Sequence, residues 1–365
     1  MTAGVDLSPS RHIGIDEIDA LSAGASVFAC GGGGSMVQGR IIVSQLAARL
    51  GSTKIGLVSL DELPDSARVA APLALDRPRT VASVVATVKA FEALGARTGG
   101  PFDAVLAHDL GVVSSLLACS VAADLGIPVV DAGGGLRAAG HFAQTTWAAA
   151  GIHPERAVVS DGVDITTYEA DSLALVDRSL RTAVDRSPSD GPIGGASWAM
   201  RGATARRASV PGLLSAAIAA GLAIEASAHH SSDPVTELVR VIDGAVLAGR
   251  GRVTRSTLAL DGTEHVEIEV ETASGPLSVL SVDSHLQLLV EGRRVAGAPD
   301  LITIVTPSGL GCTPRDLTVP AMEGEPVAVI AAPFPDLGVR VDAAAFATLH
   351  RALGAAEDPI PFQIA

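Results

Sequence analysis

Short apolar runs alternate with helical periodicities through the first part of the chain. Ile15 to Ala25 has helical spacing, with Asp16, Glu17 and Asp19 near the start, where a helix favours negative charge. A tight apolar run, Ser26 to Cys30, leads into four consecutive glycines, Gly31 to Gly34. Ser35 is placed to cap a helix over Met36 to Leu50, and Gly51 to close it. Strands are predicted at Ile55 to Leu60, Val69 to Ala74, Ala104 to Ala107 and Ile127 to Val130. Helices are predicted at Thr80 to Leu94 and Gly111 to Leu125, the second stopped by Gly126. This alternation predicts an α/β N-terminal domain with a mostly parallel sheet and right-handed crossovers.

After Gln144 the pattern changes. Ala157 to Ser160 and Asp164 to Tyr168 read as a hairpin turning at Asp161-Gly162. Asp171 to Asp185 reads as a helix and Arg186 to Gly195 as a Ser/Pro/Gly-rich loop. Arg207 to Ala226 reads as an apolar helix with Pro211 in its first turn, followed by a shorter helix from Pro234 to Ile242. Beyond Gly244 alternation dominates, with strands at His265 to Glu271, Leu277 to Val282, Leu286 to Glu291, Leu301 to Val305 and Pro326 to Ala331. The expectation is a second, β-rich α+β domain, with residues 1–168 forming the first unit and 169–365 the second.

Composition narrows the function classes. The net charge of −14 opposes binding to phosphate backbones, so no nucleic-acid partner is expected. The apolar stretch Ala208 to Ile224 falls short of a bilayer span and no signal-peptide core is read at the N-terminus, so a cytoplasmic protein without a membrane partner is expected. That apolar helix serves an oligomer interface as readily as a core, and a homo-oligomer is expected. The three cysteines, Cys30, Cys119 and Cys312, have no disulfide or zinc spacing.

The chemistry gathers at loops that follow predicted strands or apolar runs. Gly31 to Gly34 with Ser35 lacks the spacing of a phosphate-binding P-loop or a dinucleotide fingerprint, so no nucleotide cofactor is expected. It is read as a ligand loop, with a close-packing turn as the alternative. His108 and Asp109 follow a strand, where ligands of parallel sheets gather; a base or metal ligand with its orienting acid stands beside a plain helix cap. Asp131 with Gly133, Gly134 and Gly135 repeats the theme and continues to Arg137 and His141. Asp283 and His285 follow a strand and are read as substrate-binding residues facing the domain interface, with a surface pair as the alternative. Cys30 beside the loop invites a lowered thiol pKa. His229-His230 reads as a solvated linker pair, and His265-Val266-Glu267 as a strand's polar face.

These residues also carry a resemblance. Ala29-Cys30-Gly31-Gly32-Gly33-Gly34, Leu60-Asp61-Glu62-Leu63-Pro64-Asp65, Leu125-Gly126-Ile127-Pro128-Val129-Val130-Asp131, Gln144-Thr145-Thr146, Met200-Arg201-Gly202-Ala203 and Ala298-Pro299-Asp300-Leu301-Ile302 occur in an order similar to that of the S-methyl thiohydantoin desulfurase family. The resemblance runs from about Ile15 to Ile330. It implies an α/β domain followed by a β-rich domain, and hydrolytic loss of methanethiol from a thiohydantoin ring. The departures lie in the loops. Ser35 stands where the family carries an acid, and Asp109-Leu110-Gly111-Val112-Val113-Ser114 replaces Glu-x-Gly-Gly-x-Asn. Gly133 replaces the second acid of an Asp-x-Asp pattern, Gly140-His141 replaces Pro-Glu, and Asp283-Ser284-His285 replaces Asn-Glu-Asn.

The sequence therefore points to a divergent member acting on a small cyclic amide or related heterocycle. Asp131 or His108 would serve as base, with Asp109 and His141 beside them; the glycine N–H groups would bind developing charge and Arg137 would anchor the substrate. A metal at the histidines is an option. Two other readings stand beside this one: a cyclase, isomerase or lyase on the same fold, and a non-catalytic binding module or partner subunit of an amidohydrolase.

Overall fold

A computed structural model describes residues 7–75, 83–186, 193–260, 264–353 and 362–364. The start of the Thr80 to Leu94 prediction and the centre of the Arg186 to Gly195 prediction lie outside the described residues.

The first part of the chain runs β1 (Arg11–Ile13), α1 (Ile15–Phe28), α2 (Met36–Leu50), β2 (Ile55–Val58), β3 (Arg68–Leu73), α3 (Val84–Arg97), β4 (Ala104–Ala107), α4 (Val112–Leu125) and β5 (Val129–Gly133). Ser35 accepts the Gln38 N–H at 3.3 Å, and the Gln38 side chain returns to the Ser35 N–H at 2.7 Å, so α2 starts with a reciprocal cap. Gly126 ends α4 in the left-handed region. The run Ser26 to Cys30 continues α1 to Phe28 and is not a strand, so the tetraglycine joins two helices.

A short helix α5 (Thr146–Ala149) precedes the hairpin β6 (Arg156–Ser160) and β7 (Ile165–Glu169), then α6 (Leu173–Arg186). Next comes β8 (Gly194–Arg201), a strand that the sequence reading missed. The helix predicted from Arg207 is divided into α7 (Gly202–Ala208), β9 (Val210–Pro211) and α8 (Leu213–His230). Pro211 belongs to a strand pair with Ala132 of β5, where its missing N–H is tolerated at a sheet margin. His229 and His230 end α8, exposed to solvent, and are not in a linker.

The first sheet has the order β1-β2-β5-β4-β3-β8-β6-β7, with β9 on β5. Its centre, β2-β5-β4-β3, is parallel, and antiparallel strands flank it. It takes strands from both sides of Tyr168. Alternate residues face opposite layers: Val105 and Ala107 pack with α1, α2 and α4, whereas Ala104 and Leu106 pack with Trp147, Trp198 and α6. The result is an α/β domain with a parallel-centred sheet covered on both faces.

After α9 (Pro234–Val241), the chain forms β10 (Val246–Leu260), β11 (Glu264–Thr272), β12 (Gly275–Val282), β13 (Ser284–Val290), β14 (Arg293–Gly297), β15 (Leu301–Val305) and β16 (Pro326–Ala332). These make a seven-stranded antiparallel sheet, β14-β13-β12-β11-β10-β16-β15, the expected β-rich second domain. Leu301, Val305 and Ile330 of this sheet join the core of the first domain, so the two pack directly on each other. The apolar face of α8 is used within the chain. Gly24 of α1 and Gly221 of α8 let the two helix backbones meet, because a methyl on either would overlap a carbonyl opposite. Among the described residues, no helix is long and apolar enough to cross a membrane.

Candidate functional site

A cleft of about 430 Å³ opens at the carboxyl end of β4. His108 and Asp109 lie at its base, directly after the strand. Gly33, Gly34 and Ser114 form one wall, and Leu73 to Leu75 another. Ala138 to Gly140 and Phe142 form a third, while Asp177, Leu180 and Arg181 of α6 close the side. The second sheet contributes Asp283.

His108 is only 6% exposed. Its ring lies among Phe142, Trp147 and Trp198, at centroid distances of 5.5, 6.1 and 6.4 Å. Its Nδ1 is buried and has no hydrogen-bond partner. Burial pushes its pKa below the ordinary histidine value, against the opposing pull of Asp109, the Ala139 backbone and Asp177. The imidazole is therefore neutral near pH 7, with one nitrogen uncommitted. An unpaired buried polar atom costs about 1–3 kcal/mol, so its position calls for an explanation. Trp198 has φ +58, beside the irregularity where β8 pairs with β3. A bulky residue in that region is strained, and its ring lies against His108.

Asp109 is buried and its oxygens are occupied. Oδ1 accepts the Gly111 N–H at 3.0 Å and Oδ2 the Ala139 N–H at 2.9 Å. Gly111, not Asp109, is the N-cap residue of α4. Asp109 thus ties the start of α4 to the loop that forms the opposite wall, and its suitability lies in positioning.

His141 sits beside the cleft and holds α6. Its Nδ1 lies 2.9 Å from Asp177 Oδ2, and Arg181 reaches both that nitrogen and the Gly140 carbonyl. Burial raises the Asp177 pKa, but the bonds and charges of His141 and Arg181 outweigh it and leave the carboxyl below its ordinary range.

Asp131 is not brought to this cleft by its contacts. It lies within β5, and its Oδ1 accepts the Leu214 and Ser215 N–H groups at 2.8 and 3.0 Å. Its Oδ2 accepts the Ser215 hydroxyl at 2.5 Å. The N-cap of α8 is Gly212, which has no side chain, so Asp131 supplies the missing cap from the sheet.

The two glycine loops are packed against protein. A methyl on Gly33, which has φ +66, would overlap the Gly111 backbone. One on Gly134 would sit 2.8 Å from the His108 carbonyl and from the Trp147 ring. Gly31, Gly32 and Gly34 are similarly close to His285, Ala138 and Val113, and Gly133 and Gly135 to Ala107 and Arg137. The Gly134 N–H donates to the His108 carbonyl at 3.0 Å. Close packing shapes these loops, and Gly33 and Gly34 also form a wall of the cleft. Ser35 caps α2 and is not among the cleft residues.

Arg137 and His285 belong to the seam between the domains. Arg137 is 5% exposed, donates to the Asp300 carbonyl at 2.8 Å and to Ser284 Oγ at 3.1 Å, and also reaches the His285 carbonyl. A buried guanidinium held this way joins the domains. His285 is fully buried, with Nδ1 at 2.9 Å from Ser281 Oγ and Nε2 at 3.1 Å from the Cys312 carbonyl. Burial pushes its pKa down to about 3. Burial also raises the Cys30 thiol pKa, opposite to the lowering expected from the neighbouring helix.

Among the described residues, no group of three or more His, Cys, Asp or Glu could hold a metal ion. The sequence reading did not select Phe142, Trp198, Asp177 or Arg181. The nearest signals were the quoted Gln144-Thr145-Thr146 and Met200-Arg201 segments, each close to one of the aromatics.

Comparison with known proteins adds the context. The family model described as S-Me-THD-like, N-terminal domain, matches residues 16–168, and the S-Me-THD-like, C-terminal domain, matches residues 170–345. A crystal structure of a protein from Chromobacterium violaceum is 24% identical, with a TM-score of 0.78, over 96% of this chain and 99% of that one. That likeness supports the fold. No curated protein matches the chain.

Proposed function

Since the chain belongs to the S-methyl thiohydantoin desulfurase-like family, we propose that it is an enzyme that hydrolyses a small thiohydantoin-like heterocycle in the cleft at His108. The observation that carries this reading is a neutral, buried imidazole with an unpartnered nitrogen, lining a cleft large enough for a substituted five-membered ring. Phe142 offers a flat apolar face to such a ring.

In this reading, water adds to the ring carbon that bears the S-methyl group, while His108 takes a proton from that water. The C–S bond then breaks. The proton leaves with sulfur as methanethiol, and the remaining hydroxyl proton passes to ring nitrogen as the carbonyl forms. Asp109 acts by fixing the walls through Gly111 and Ala139. Asp131 has no part in the chemistry.

Purified protein should release methanethiol and the corresponding hydantoin from S-methyl thiohydantoins in equal amounts. Absence of both products across ring substituents would remove the hydrolytic reading. One observation favours a non-catalytic binding role: the carboxylates of Asp109 and Asp177 are already engaged within the protein. In that case the heterocycle would bind without turnover.

A further inference from the structure

The second domain places one carboxylate in the cleft. Asp283 forms the apex between β12 and β13, where Val282 pairs with Ser284. It has φ +59, a conformation that an aspartate adopts less readily than glycine. The residues after it hold this apex against the first domain. The His285 N–H donates to the Cys30 carbonyl at 2.6 Å, and Ser284 accepts from Arg137 at 3.1 Å.

The Asp283 side chain is exposed, lines the cleft and makes no hydrogen bond or ion pair with the described residues. It faces Gly140, where a Cβ would lie 3.8 Å from Asp283 Oδ2. His108, more than nine-tenths buried and with Nδ1 unpartnered, lines the same cleft from the first domain. The cleft therefore combines an acceptor-only group on one domain with an uncommitted imidazole on the other.

We propose that Asp283 is a specificity-determining residue that accepts a hydrogen bond from a ring N–H of the heterocycle, so that the cleft selects cyclic amides with a free ring N–H. This rests on the reading of the cleft as a heterocycle site. A carboxylate offers acceptors and no donor, so it rewards N–H edges and leaves N-alkylated rings without a partner. A charge-assisted bond of this kind is stronger than one between neutral groups.

The test is calorimetric binding of a 5-substituted hydantoin and of its N1,N3-dimethyl counterpart to the full chain. Wild type is expected to prefer the free N–H form by roughly tenfold or more, equal to about 1.4 kcal/mol. Asp283→Gly removes the carboxylate and suits the positive φ, and it should bind the two probes within about twofold of each other. Asp283→Asn should fall between these. Equal binding of both probes by wild type, or discrimination that persists in Asp283→Gly as a steric effect would, overturns the proposal while leaving the heterocycle site standing. If wild type binds neither probe and releases no methanethiol, the site reading and the proposal fail together.

Discussion

Two buried histidines lie near the same domain seam, and they differ in what their ring nitrogens meet. His285 has a partner within 3.1 Å at each nitrogen, Ser281 on one side and the Cys312 carbonyl on the other. His108 has an aromatic nest and an unpartnered Nδ1. Both are held below the ordinary histidine pKa by burial. Desolvation alone thus does not set the two apart. Completeness of hydrogen bonding does, because a satisfied ring has nothing left to offer a ligand.

The sharpest break in this comparison is His108→Gln. It should lower turnover by roughly 10²–10⁴-fold, the usual worth of a general base. Nδ1 has no protein partner to lose, but the ring packs against Phe142, Trp147 and Trp198, so calorimetric melting is run beside the steady-state assays to show that the variant is folded. His285→Leu should act on stability instead. It leaves the Cys312 carbonyl and Ser281 hydroxyl without their partner, at a cost of about 1–3 kcal/mol in denaturant unfolding.

The pH dependence sharpens the contrast. His285 titrates near 3 in the folded chain, below its unfolded value of about 6.5. The unfolded state therefore binds more protons between those values. The stability due to neutral His285 is fully present above about pH 6.5 and is lost as pH falls toward 3, with a limiting slope of about 1.4 kcal/mol per pH unit. His108 contributes with the same sign, since burial lowers its pKa too. Unfolding curves at pH 7 and pH 5 should show the loss, and His285→Gln should flatten it. The smallest effect is expected at Asp131. Asp131→Ala removes a helix cap, costs about 1 kcal/mol, and should leave turnover within a few-fold of wild type.

Much of the fold was legible because local signals agreed with it. Ser35 and Gly51 mark both ends of α2, and the β4 bounds match the apolar run Ala104 to Ala107. The failures were tertiary. Gly194–Arg201 became a strand because β3 and β6 offer edges on either side of it. The apolar run around Pro211 was broken by pairing with β5. At the site, His108 and Asp283 were legible as loop residues after strands. Asp131 was legible as an important acid, but its direction was not. Only the fold reveals that α8 begins at a glycine and takes its cap from Asp131. The glycine runs are ambiguous for a similar reason: their spacing is equally suited to a ligand and to another backbone, and Gly111 fills that space at Gly33.

The central claim separates His108, just beyond the end of β4, from Asp131, within the adjacent parallel strand β5. Methanethiol release from an S-methyl thiohydantoin by wild type, His108→Gln and Asp131→Ala, assayed side by side with each variant shown to be folded, tests it most directly. The expected result is turnover by wild type and Asp131→Ala and its near-complete loss in His108→Gln. An active His108→Gln beside a folded but inactive Asp131→Ala would contradict the account.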